Sequence, residues 1–107
     1  MADKELLLSL LANLETEMRE IDLWEGQSPP AEAFDSLLPF FYDTMNFSQW
    51  LQWVFVARFR AILEGAHQLP PNCEVAPMAE EYFKELDVYS APILGLLRRF
   101  DEQFSEW

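Results

Sequence analysis

The stretch from Pro39 to Phe59, PFFYDTMNFSQWLQWVFVARF, constrains the fold more than any other part of the chain. It holds about half of the aromatic residues in roughly a fifth of the length, so the core must be built around it. Asn46 reads as a helix N-cap, with Gln49 three residues on to complete a capping box. Met45 and Trp50 stand at the two positions of a hydrophobic staple. The helix that follows spans Phe47 to Gly65. On a wheel of 100° per residue, Phe47, Leu51, Val54, Phe55, Phe59 and Ile62 form its main face. Trp50, Val56 and Leu63 widen that face until only an arc near Gln49, Arg60 and Glu64 is polar. A helix apolar this far round belongs at the centre of a bundle. Before it, Phe40-Phe41-Tyr42 predicts an ordered loop, because three consecutive aromatics need burial.

The flanking sequence supplies partners with helical spacing. Leu7, Leu11, Leu14, Met18 and Ile21 step by four and three through a first helix, Lys4 to Leu23, with Leu6 and Leu10 widening the stripe. Asp3 is placed to cap it. Gly26, Ser28, Pro29 and Pro30 break the chain, and Ala31 to Leu38 predicts a short helix. Pro77 to Asp87 turns Ala79, Tyr82, Phe83 and Leu86 inward. Ser90 and Pro92 open a last helix in which Ile93, Leu97, Phe100, Phe104 and Trp107 recur by four and three. Strand alternation and hairpin turns are absent from the sequence. The expectation is an all-α protein, a single domain over residues 1–107. Its architecture is a mainly antiparallel four-helix bundle, with the aromatic loop ordered ahead of the central second helix.

Charge narrows the function classes. Nineteen acids against seven Lys and Arg give a net charge of −12. Phosphate backbones and anionic lipid repel such a surface, so no direct nucleic-acid or membrane binding is expected, and a basic protein partner is favoured. The single cysteine, Cys73, excludes an intrachain disulfide and a multi-cysteine zinc site. The N-terminal apolar run is too short to cross a bilayer, and the expected compartment is the cytoplasm. No phosphate loop, nucleophile elbow or metalloprotease motif is present, and His67 is the lone histidine. The expectation is no metal, no cofactor and no enzyme.

Five side chains stand out. Trp53 falls on the polar arc of the central helix, where either the loop around Trp24 or the Pro70-Pro71 segment covers it, or it stands free as a contact anchor; Trp and Tyr lead interface hot spots. With Tyr42 and Trp24 it forms the set of candidate interaction residues. Arg58 lies within about 20–40° of Phe47, Leu51 and Val54 on the ideal wheel. A guanidinium in an apolar face needs a carboxylate partner or must snorkel out along its stem. Asp43, brought back over the helix by the aromatic loop, is the first candidate for that ion pair, and Glu17 the second.

The residues Pro39-Phe40-Phe41, Asp43-Thr44-Met45 and Trp50-Leu51-Gln52-Trp53-Val54 resemble the core motif of the YqcC-like family of small helical proteobacterial proteins. Val75-Ala76-Pro77 and Leu69-Pro70 extend the likeness. The resemblance implies a compact helical bundle, no catalytic residue to carry over, and an association by gene neighbourhood with a tRNA pseudouridine synthase. The leading functional expectation is a non-enzymatic interaction module, an accessory partner of a tRNA-modifying enzyme. The alternative is a small-molecule binder or enzyme that uses the Phe40–Asp43 loop, with Tyr42 and Asp43 as polar groups in an aromatic-lined pocket.

Overall fold

Four helices form among the described residues, 4–65 and 73–105, of the computed structural model. The first, α1, is Lys4–Glu20, and its stripe of Leu7, Leu10, Leu11, Leu14 and Met18 is fully buried. Its expected cap Asp3, with His67, Leu69, Pro70 and Trp107, lies outside the described residues. The second helix, α2, spans residues 47–64 and changes pitch twice. It is α-helical over Phe47–Trp50, π-helical over Leu51–Val56 and α-helical again over Ala57–Glu64. The third, α3, is Ala76–Lys84, and the fourth, α4, is Ala91–Ser105. Pro77 and Pro92 sit in first turns, where a missing N–H leaves no bond unmade. Between α1 and α2 the chain makes two short 3₁₀ turns, Ala31–Asp35 and Pro39–Phe41.

Cross-contacts give the helix directions. Glu15 pairs with Arg60 and Glu25 bonds Gln52, so α1 and α2 run antiparallel. Asp101 meets Val75 and Ala76 while Arg98 meets Glu80, so α3 and α4 also run antiparallel. The stack of Phe55 and Phe59 on Phe100, then Phe59 on Phe104, makes α2 and α4 parallel. One aromatic and leucine core results, joined by α1, α2, α3 and α4. As expected, α2 contributes most to it: from Phe47 to Val56 every residue is buried or half-buried.

The π segment was not legible in the spacing, and it redirects the helix. On an ideal wheel the buried direction lies near Leu51 in the first half and near Phe59 and Leu63 in the second, a drift of about 100°. One residue inserted into an α-helix turns everything after it by about that angle. The apolar sequence positions drift in the same sense, so both halves stay on the core.

The helix start follows the capping-box expectation. Asn46 Oδ1 accepts from Gln49 N at 2.9 Å, and Gln49 Oε1 accepts from Asn46 N at 2.9 Å. Met45 is buried with Trp50 packed beside it, which closes the staple. α3 has a cap that comes from another helix: the Asp101 carboxylate accepts from Val75 N at 3.0 Å and Ala76 N at 2.8 Å. Cys73 Sγ donates to the same carboxylate at 3.2 Å. Burial first, then Asp101, push this thiol well above the ordinary cysteine range, so it stays a protonated, unreactive donor.

Asn46→Ala should cost about 0.5–2 kcal/mol through the lost first-turn bond. Urea denaturation measures this as a lowered midpoint with an unchanged slope, and an unmoved midpoint would show the cap to be dispensable.

Candidate functional site

The aromatic loop folds back on α2 by way of an unfavourable backbone. Phe40 and Phe41 have φ of 56° and 52°. Each left-handed non-glycine residue costs about 1–2 kcal/mol. Packing holds the turn in place. The Phe40 ring meets Trp50 edge-on at 4.7 Å and Phe47 at 5.8 Å. Phe41 packs with Ala33, Met45 and Val54 in a second small core. Phe41 O accepts from Thr44 N and Met45 N, both at 3.0 Å, and Thr44 Oγ1 donates to Ala33 O at 2.7 Å.

The third aromatic breaks the expectation of burial: Tyr42 is 68% exposed. Two successive left-handed residues turn the rings of Phe40 and Phe41 toward the core and leave Tyr42 on the outside. Beside it opens a groove of about 580 Å³ between the loop and α3. Phe40, Tyr42, Met45 and Phe47 line one wall, and Met78 and Tyr82 the other. Asn46 and Glu81 stand at its edge. Met78 is exposed, and Leu37 and Leu38 just upstream are exposed as well.

Asp43 does not line the groove. It accepts from Ser36 Oγ, which also holds Leu38 N. Among the described residues the expected ion pair between Asp43 and Arg58 does not form, nor does one between Glu17 and Arg58. Arg58 is exposed, and its guanidinium sits 5.8 Å from the centre of the Phe41 ring. The π segment explains the correction, since the drift it introduces carries Arg58 out of the apolar face where an ideal wheel places it. The loop does reach back to Arg58, but it offers a ring face in place of a carboxylate.

Trp24 and Trp53 share a separate cleft of about 420 Å³ with Arg19, Glu25, Gln52 and Arg60. Both indoles are half-buried. Trp53 Nε1 donates to Glu25 Oε1 at 3.3 Å, and the Arg19 guanidinium lies 5.4 Å from the Trp24 ring. Gln52 is 4% exposed, and its amide clamps the backbone of Glu25, accepting from N and donating to O at 2.7 Å each. Glu15 holds both arginines, accepting from Arg60 and Arg19 at 2.8 Å. The loop over Trp24 therefore covers Trp53 in part, and the cleft's polar groups are spent on each other.

Two things were hidden from sequence reasoning. Met78 belongs to the groove: it stands one turn before Tyr82, at the edge of the inner face of α3, and that spacing of four was the available signal. Gln52 is a buried polar anchor inside an apolar run. Among the described residues no group of three His, Cys, Asp or Glu is placed to hold a metal ion, and no helix is long and apolar enough to cross a membrane.

Comparison with known proteins adds relatives to this geometry. A family model described as tRNA pseudouridine synthase C matches residues 6–103. A Haemophilus influenzae protein named "Uncharacterized protein" is 43% identical over 77 residues, 72% of this chain and 73% of its own. "Uncharacterized protein YqcC" of Escherichia coli is 35% identical over 96 residues, 90% of this chain and 88% of its own. The solution NMR structure of YqcC from E. coli superposes with a TM-score of 0.81 at 32% identity, covering 99% of this chain and 91% of that one. A Pectobacterium carotovorum subsp. carotovorum protein named "tRNA pseudouridine synthase C" is 43% identical over 60 residues, 56% of this chain but only 16% of that longer chain.

Two measurements check this geometry. Arg60 foremost, opposed by burial and joined by Arg19, holds Glu15 below the usual carboxylate range. A depressed folded pKa gives stability that is present above the unfolded value, about 4.3, and lost as pH falls through the folded one. Glu15→Gln should therefore lower the urea midpoint at pH 7, with the difference from wild type shrinking as pH drops below about 4. A pH-independent difference would separate Glu15 from those arginines. In the second, Arg58→Met, Asp43→Asn and the double variant should be additive within about 0.3–0.5 kcal/mol. A larger coupling would restore the ion pair.

Proposed function

This chain belongs to the YqcC-like family, and on that membership we propose that it is a non-catalytic protein-interaction module that acts with a tRNA pseudouridine synthase. One observation carries the reading. A segment similar to this chain makes up a small part of the longer P. carotovorum protein named tRNA pseudouridine synthase C, and the matching family model bears the same description. A single chain that contains both parts keeps them at high effective concentration; separate chains need a surface to find each other. Charge supports that reading, since an enzyme that grips tRNA presents basic surface, and a protein of net charge −12 is drawn to it and repelled by the RNA itself. The module therefore engages the enzyme and not the phosphates.

The groove beside the Phe40–Asp43 loop gives the small-molecule alternative a physical site. A ligand pocket needs a few polar groups free to orient what it binds. Here Asn46 is spent on the helix cap, Glu81 on Lys84 at 3.1 Å, and the Tyr82 hydroxyl faces Ser48 Oγ at 3.4 Å. Asp43 is turned away. Of the two polar groups expected there only the Tyr42 hydroxyl is uncommitted, and it stands on the exposed rim, which favours a macromolecular partner.

The test mixes the purified chain with the separately encoded tRNA pseudouridine synthase C of the same organism and follows co-elution by size exclusion. The expected result is a complex at low salt that weakens as salt rises past the screening range, a Debye length of about 8–10 Å. Two independent peaks at low salt would remove this partner.

A further inference from the structure

We propose that the groove between the aromatic loop and α3 is the surface that receives the synthase, taking one or two large apolar side chains from a segment flanked by lysine or arginine. The assignment rests on the partner reading above and adds the place and chemistry of contact. Four observations meet at this groove.

Its walls are apolar, and its rim holds side chains that the fold leaves exposed: Tyr42 at 68% and Met78 at 41%. Exposed apolar surface of this kind marks an interaction site more often than a free surface. Anchor residues of interfaces fill such pockets, and Tyr on the receiving side supplies area at little entropic cost.

Around the groove Asn46 Oδ1, Glu81 and the Tyr82 hydroxyl have partners within the fold, and the Tyr42 hydroxyl stands on the exposed rim. An incoming methyl or phenyl group orphans none of them, and the walls of Phe40, Met45, Phe47 and Met78 offer no polar group to a charge or amide inserted between them.

The backbone here is held in a conformation that sequence alone would not choose. The left-handed pair Phe40 and Phe41 is what sends Tyr42 outward and leaves the groove open. Strained residues persist where surrounding packing over-determines them, and such places collect at binding sites.

The occupant follows from charge. Glu81 lines the groove in an exposed pair with Lys84, Glu80 on the same helix pairs with Arg98, Glu85 follows the helix end, and the chain as a whole carries a net charge of −12. Lysines or arginines flanking the apolar anchor gain from this field, and acids flanking it would be repelled. A basic enzyme surface fits, and a second copy of this acidic chain does not.

The experiment measures affinity for the same organism's tRNA pseudouridine synthase C by calorimetry at low salt. The variants are Tyr42→Ala, Met78→Gln and both together; each site is exposed, and circular dichroism confirms the fold. The double variant is expected to raise Kd at least about 30-fold. A photo-crosslinking residue at position 78 should capture the synthase, and the same residue at the exposed position 64 should not. No binding by wild type overturns the partner reading and this assignment with it. Wild-type binding that the double variant retains within threefold, with no capture from position 78, overturns the groove and leaves the partner reading standing. A wild-type chain that dimerises alone, and a double variant that does not, gives the groove to a second copy and also overturns the assignment.

Discussion

Ten consecutive residues of α2, Phe47 to Val56, are all buried or half-buried, and the rest of the structure is the set of surfaces needed to make that possible. Helices α1, α3 and α4 cover part of the circumference through Leu7, Leu11, Phe83 and Phe100. The remainder is closed by connections. The segment after α1 lies against Gln52 and Trp53, and the aromatic loop lies against Phe47, Trp50 and Val54. Loops used as walls must be fixed, because their backbone groups leave water. The Gln52 amide does this for Glu25, and Thr44 does it for Ala33 and Phe41. Replacing Gln52 by an apolar residue of similar size would therefore strand two backbone groups of a different segment.

The π turn reconciles this wrapping with an ordinary amphipathic second half. Had α2 kept 3.6 residues per turn, Arg58 would sit among Phe47, Leu51 and Val54, an unneutralisable charge facing the core. The extra residue turns Arg58 out and turns Phe59 and Leu63 in. Exposed Arg58 over Phe41 then acts on the loop through a contact worth about 0.5–1 kcal/mol, and not through a buried pair whose rupture would cost several times that. The positions that end a regular pattern and those that begin the next are set by one local change of pitch.

Much of the bundle was legible because its signals are local. Four-three spacing gave α1 and α4, the Asn46–Gln49 pair gave the start of α2, and Gly and Pro gave the breaks. What was illegible is what depends on distant partners or on departure from ideal geometry. A wheel assumes constant pitch, so it could not show the π turn and misplaced Arg58. No glycine marks the left-handed turn, because the driving force there is ring packing by Phe40 and Phe41 against residues of α2. The cap of α3 comes from Asp101, about 25 residues later, and the N-cap position Val75 gives no hint of it. The loop around Trp24 is one cover that the wheel allows for Trp53, but the spacing holds no sign that Glu25 ties the indole N–H.

The aromatic loop shows how local strain and global burial divide the work. The run Phe40-Phe41-Tyr42 has three rings and a core that accepts two. An extended backbone alternates sides and would send the first and third inward and the second out. Two left-handed residues instead bring adjacent rings down together, on Trp50 and on Met45 and Val54, and free the third. The cost of about 1–2 kcal/mol per residue is set against two half-buried phenyl groups, each contributing part of the about 1.5–3 kcal/mol that full burial gives. That margin is narrow, and the open groove next to it would narrow it further were Phe47 not shared with Tyr82 of α3 at 5.5 Å. The same phenyl ring thus anchors the loop, begins α2 and forms a wall of the groove, which ties the shape of the exposed surface to the packing of the core.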